Sequence, residues 1–98
     1  MAKVEIYTTD YCPYCSKAKA LLEQKGVDYI EIRVDKEPMK FEEMIRRSNG
    51  QRGVPQIFIN NQGIGGFDDL WKLEQRGALY KLLTCNEKRQ PDDRKSKR

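Results

Sequence analysis

The sequence predicts an α/β domain with its elements in the order strand, helix, strand, helix, strand, strand, helix (βαβαββα). Two β-rich runs near the N-terminus are separated by a stretch of helical period, which calls for parallel pairing through a crossover. A later run opened by proline and followed by turn residues calls for an antiparallel hairpin. The 98 residues suit one domain able to bury a single core without disulfide staples or a structural metal.

Val4-Glu5-Ile6-Tyr7-Thr8 has β-branched and aromatic residues at strand density, and the run stops at Thr9-Asp10. The loop that follows delivers the chain to Cys12. Pro13 then occupies a first-turn position where a helix tolerates proline, and Cys15, Ala18, Leu21, Leu22 and Lys25 repeat at helical spacing until Gly26. Asp28 to Val34 alternates as a second strand, closed by Asp35. After Pro38, Phe41, Met44 and Ile45 mark one face of a second helix, which runs out near Ser48-Asn49-Gly50. Pro55 to Ile59 reads as a third strand, Asn60-Asn61-Gln62-Gly63 as a turn, and the residues around Ile64 as a brief fourth strand. Gly65-Gly66 breaks it. Asp68 is expected to cap a third helix with Leu70, Trp71 and Leu73 on its buried side and Gly77 at its end, and Leu79, Leu82 and Leu83 suggest one more helical turn.

Composition narrows the chemistry. The three cysteines, Cys12, Cys15 and Cys85, are too few for a secreted disulfide framework, and the chain has no histidine, which removes every mechanism built on an imidazole base. A Cys/His zinc sphere cannot be completed within one chain either, so no metal is expected. Met1 to Thr9 lacks the apolar stretch of a signal peptide or membrane span, and a cytoplasmic location without a membrane partner is expected. Much of the net charge of +4 sits at the C-terminus, where Lys88, Arg89, Arg94, Lys95, Lys97 and Arg98 outnumber Glu87, Asp92 and Asp93. The domain is therefore expected to span residues 1–85, with residues 86–98 a disordered charged tail and no nucleic-acid partner.

Cys12 and Cys15 stand three positions apart at a helix start. That spacing lets their sulfurs meet as a disulfide while only the first faces solvent. Unpaired N–H groups and the positive end of the helix dipole favour a thiolate at position 12, with Lys17 adding a little, whereas Cys15 lies one turn inside and is suited to resolve a mixed disulfide. A Cys-x-x-Cys between a first strand and its helix is the placement redox chemistry requires.

Cys12-Pro13-Tyr14-Cys15, then Gly53-Val54-Pro55, then Gly65-Gly66-Phe67-Asp68-Asp69, in that order and spacing, resemble the dithiol glutaredoxins, and among them the bacterial glutaredoxin 3 branch. The resemblance covers about residues 2–84 and implies a thioredoxin-like fold, a four-stranded mixed sheet flanked by helices. It implies a glutathione-dependent disulfide oxidoreductase with a Cys12 nucleophile and Cys15 resolving, glutathione as reducing co-substrate, and glutathionylated or disulfide-containing proteins as partners, ribonucleotide reductase being one candidate. By the same resemblance Pro55 is a cis-proline that frees the Val54 backbone for the cysteinyl part of glutathione. Gly66, Phe67 and Asp68 receive the γ-glutamyl end, Tyr14 lies beside the mixed disulfide, Gln51 or Arg52 reaches the glycyl carboxylate, and the protein is a monomer. Three positions depart from the family pattern: Thr9 replaces a frequent lysine, Gly53 a threonine and Phe67 a cysteine. Two rivals stay open at this point, a donor served by thioredoxin reductase and a carrier of a [2Fe-2S] cluster bridged between two chains.

Overall fold

The computed structural model describes residues 2–84. Cys85 and the charged tail lie outside the described residues. The elements are β1 (Val4–Thr8), α1 (Pro13–Gln24), β2 (Ile30–Arg33), α2 (Pro38–Arg47), β3 (Gln56–Ile59), β4 (Gln62–Gly65), α3 (Phe67–Gln75) and α4 (Ala78–Thr84). They form one four-stranded sheet in the order β2-β1-β3-β4. β1 pairs in parallel with β2, Ile6 opposite Glu31, and antiparallel with β3, Ile6 opposite Ile57. β3 and β4 form the expected hairpin, with the register shifted between Ile57 and Phe58.

The two central strands are covered on both faces, and alternation along them divides the core into two layers. Val4 and Ile6 of β1 and Ile57 and Ile59 of β3 join Ala18, Leu21 and Leu22 of α1, Leu70 of α3, and Leu79 and Leu83 of α4. Tyr7 and Phe58 point the other way, onto Val34 and Met44, with Phe41 and Ile45 of α2 packed alongside. Arg47, in the last turn of α2, holds this second layer: its guanidinium lies 4.1 Å from the Phe58 ring centroid, pairs with Glu5 at 2.9 Å and donates to the Tyr7 hydroxyl at 2.6 Å. The Tyr7 hydroxyl in turn donates to Glu43.

Three details differ from the sequence reading. β2 is shorter than Asp28–Val34 because β1 offers partners only to Ile30–Arg33, and as an edge strand it leaves Ile30 half exposed. The cap of α3 is Gly66 rather than Asp68: the carboxylate of Asp69, three positions on, accepts the Gly66 N–H at 3.1 Å, and Asp68 sits in the first turn. Gly65 has φ +112, and a Cβ there would collide with that Asp69 carboxylate. Trp71, expected on the buried side of α3, is 45% exposed; the core contact of that helix is made by Leu70, and Trp71 stacks on Phe67 instead. The final helical turn is a complete short helix, Ala78–Thr84.

Leu22 is fully buried between α1 and the sheet. Leu22→Ala should therefore lower unfolding stability by about 2–5 kcal/mol, the cost of the lost contacts and the remaining cavity, as read from urea denaturation midpoints at unchanged slope.

Candidate active site

The chain leaves β1 through Thr9, Asp10 and Tyr11, and this loop is tied to the one after β2. The Asp10 N–H donates to Asp35 Oδ2 at 3.2 Å, and Arg33 grips the same Asp35 carboxylate through two nitrogens at 2.7 and 2.9 Å. That grip holds Asp35 down at about 2. Tyr11 takes the left-handed conformation, φ +55, and the chain then turns into Cys12.

Cys12 is the N-cap of α1, extended at φ −109 and ψ 103, with Pro13 opening the helix. Its Sγ accepts the Cys15 N–H at 3.1 Å, while its carbonyl accepts the Ser16 N–H at 3.1 Å. A sulfur thus stands where capping oxygens usually stand, satisfying a helix N–H that would otherwise lack a partner. Cys12 keeps partial access to solvent and Cys15 is buried. Burial pushes the Cys15 thiol above its ordinary range, and its neighbour Cys12 adds to the rise. The two thiols are made unequal by about one turn of backbone.

Across from Cys12 lies the Val54–Pro55 peptide, which is cis, with the Val54 carbonyl 3.9 Å from Cys12 Sγ. The N-terminus of α3 closes the same place. Tyr14, Val54, Pro55, Gly66, Phe67, Asp68 and Asp69 line one groove of about 280 Å³, so six of the binding residues named from the sequence meet there. Gln51 borders an adjoining groove that shares Gly66 and Asp69 with the first. Arg52 is not brought to either; its guanidinium lies over the Phe41 ring, 5.5 Å from the centroid. Thr9 lines a third hollow on the far flank of Cys12, with Lys19, Glu31 and Arg33.

Two residues escaped the sequence reading. Asp69 both caps α3 and lines the groove, and its signal was present: an acid three positions after a helix-opening glycine. The exposure of Trp71 had no such signal, since helical spacing alone places it beside Leu70.

A cap-position thiol, a buried partner one turn on, a cis-proline opposite and a helix N-terminus beside them on a β2-β1-β3-β4 sheet define a thioredoxin-fold disulfide oxidoreductase. The glutaredoxin family model matches residues 4–64. The chain is 58% identical over 83 residues to glutaredoxin 3 of Escherichia coli, covering 85% of this chain and 99% of that protein. It is 52% identical over 84 residues to a glutaredoxin of Neisseria meningitidis, covering 85% and 98%. Among solved structures, the buckwheat glutaredoxin-glutathione complex superposes with a TM-score of 0.77 at 32% identity, covering 85% of this chain and 77% of that one. The solution structure of Brucella melitensis glutaredoxin gives 0.74 at 47% identity, covering 85% and 89%. The chain belongs to the glutaredoxin family, the glutathione-dependent thiol-disulfide oxidoreductases.

The inequality of the thiols has two measurable consequences. Iodoacetamide at neutral pH should label Cys12 in the folded protein and reach Cys15 only after denaturation, as mass spectrometry of the digested protein would report. Because the folded state holds the Cys15 proton to higher pH than the unfolded chain, this group stabilises the fold fully below the ordinary thiol value of 9.0 and loses that contribution as pH rises beyond it. Tyr7 and Tyr29, both pushed up to about 12 by burial and by carboxylate neighbours, act with the same sign. Between about pH 8 and 10.5, Cys15→Ser should accordingly lose less stability than the parent in chemical denaturation.

Proposed function

We propose that Cys12 is the nucleophile of this oxidoreductase and Cys15 the resolving thiol, acting on glutathionylated and disulfide-containing proteins with glutathione as reductant. The observation that carries this reading is the Cys12 sulfur at the head of α1, accepting a helix N–H and facing the Val54–Pro55 peptide. The Cys15 N–H that this sulfur accepts would also be there for the sulfur when it attacks and when it leaves, since an anionic sulfur is a good hydrogen-bond acceptor.

On a glutathionylated protein, the Cys12 thiolate attacks the glutathione sulfur; the target cysteine departs as thiolate and takes a proton from water. A second glutathione thiolate then attacks the Cys12-glutathione disulfide, releasing glutathione disulfide and restoring Cys12. On a protein disulfide, Cys12 attacks one sulfur and the other leaves. Cys15 then gives up its proton and attacks Cys12, the second substrate sulfur leaves, and the Cys12–Cys15 disulfide is reduced by two glutathiones. A thiol that stays protonated until a mixed disulfide forms beside it suits the second step and not the first.

Glutathione fits the groove by its chemistry. The backbone of Val54, freed from the sheet ladder by Pro55, pairs with the cysteinyl residue. The N–H groups that open α3 at Phe67 and Asp68 face the γ-glutamyl carboxylate, Gly66 lets the ligand approach the backbone, and the Asp68 carboxylate binds the ammonium. Tyr14 covers the disulfide. Gln51 already borders the adjoining groove and is the nearer candidate for the glycyl carboxylate, whereas Arg52 has to leave Phe41 to reach it. This chemistry belongs in a reducing cytoplasm, with the protein working as a monomer and ribonucleotide reductase one candidate among its disulfide partners. No metal takes part.

The test uses a glutathione reductase-coupled assay. Cys12→Ser should abolish reduction of both a glutathionylated protein and a protein disulfide; Cys15→Ser should keep most of the first activity and lose the second by at least about tenfold. Deglutathionylation surviving in Cys12→Ser would refute the assignment.

A further inference from the structure

The groove beside Cys12 does not end where a tripeptide would end. Tyr14 stands 54% exposed two residues after the nucleophile, its ring 6.3 Å from that of Phe67. Phe67 stacks on Trp71 at 6.2 Å with the planes 22° apart. Trp71 is no part of the lining of the groove; it lies beyond it, one helical turn along α3 from Phe67, with nearly half its surface in solvent. Lys17 closes the opposite end of the row, its ammonium 5.2 Å from the Tyr14 centroid. Tyr11 and Tyr80 are also exposed but belong to no such row, and single exposed aromatics call for no explanation. A stack of three rings starting at the nucleophile does.

We propose that Trp71 is a specificity-determining residue for polypeptide disulfides: it receives an aromatic or bulky aliphatic side chain of the substrate segment that becomes bonded to Cys12. The inference rests on the functional reading above and names its substrate class. The occupant follows from the chemistry of the site. A mixed disulfide on Cys12 fastens the substrate chain at the head of the row, so the neighbouring residues of that chain are held over the adjoining surface. Two ring-to-ring steps correspond to at most about four residues of extended chain at ~3.3 Å each. Glutathione has one residue on either side of its cysteine and stops short of Trp71; a polypeptide does not. The indole stacks on Phe67 and the residue keeps 45% of its surface in solvent, a rigid flat surface of the kind that dominates recognition of apolar side chains.

The test compares the parent, Trp71→Ala and Trp71→Phe on three probes in the glutathione reductase-coupled assay. The first is the mixed disulfide of glutathione and 2-mercaptoethanol. The other two are peptides with one intramolecular disulfide, flanked on both sides by Phe in one and by Ser in the other. Trp71→Ala should lower kcat/KM for the Phe peptide about fivefold, mainly through KM, and leave the small mixed disulfide and the Ser peptide within about twofold; Trp71→Phe should restore most of the preference. An equal loss on all three probes would make Trp71 a packing residue, and an unchanged Phe-to-Ser preference would remove it from recognition; either overturns the proposal while leaving the function intact. Failure of the parent to turn over any of the probes would overturn the functional reading, and this one with it.

Discussion

The hydrogen bond from the Cys15 N–H to the Cys12 sulfur is the contact on which the rest of the site depends. It exists because a cysteine occupies the N-cap of α1, with proline next to it supplying no N–H to compete. One interaction does three things. It starts the helix, it gives the sulfur a partner that prefers negative charge, and it places the second cysteine on the inner side of the first turn, where burial keeps it protonated. Cys12 and Cys15 are therefore made unequal by backbone geometry, without any histidine in the chain.

That geometry has to be held in place, and the fold holds it from both faces of the sheet. α1 is locked by Ala18, Leu21 and Leu22 against β1 and β3, which fixes where its first turn points. The loop before Cys12 is tethered to Asp35 and Arg33; that loop follows β1 and the cis-peptide directly precedes β3, so Cys12 and the peptide opposite are positioned by adjacent central strands. Most ion pairs here are partly exposed and individually weak. Arg47 differs, since it spans Glu5, Tyr7 and the Phe58 ring at once and joins α2 to two strands.

The start of α3 is the second convergent feature. Gly65 provides a backbone turn that would be strained for other residues, Asp69 accepts the Gly66 N–H, and the residues that follow, Phe67 and Asp68, line the groove. The same helix carries Phe67 and Trp71 one turn apart, so the element that orients the groove also extends an aromatic surface past it.

By itself, the sequence determined the element order, the boundaries of β1, the start of α1 at the cysteines and the unequal exposure of Cys12 and Cys15. These are local matters: proline, glycine, cap positions and periodicity act within a few residues, and the three motifs sit within short stretches of chain. Only the tertiary structure decided which distant residues share a surface. β2 was trimmed by the length of its partner strand, Trp71 was left nearly half exposed while Leu70 took the core contact of α3, and Arg52 was drawn to Phe41 instead of the groove. Each of these outcomes is set by competition for space or for a hydrogen-bond partner between segments far apart in the chain, a contest that no local pattern records.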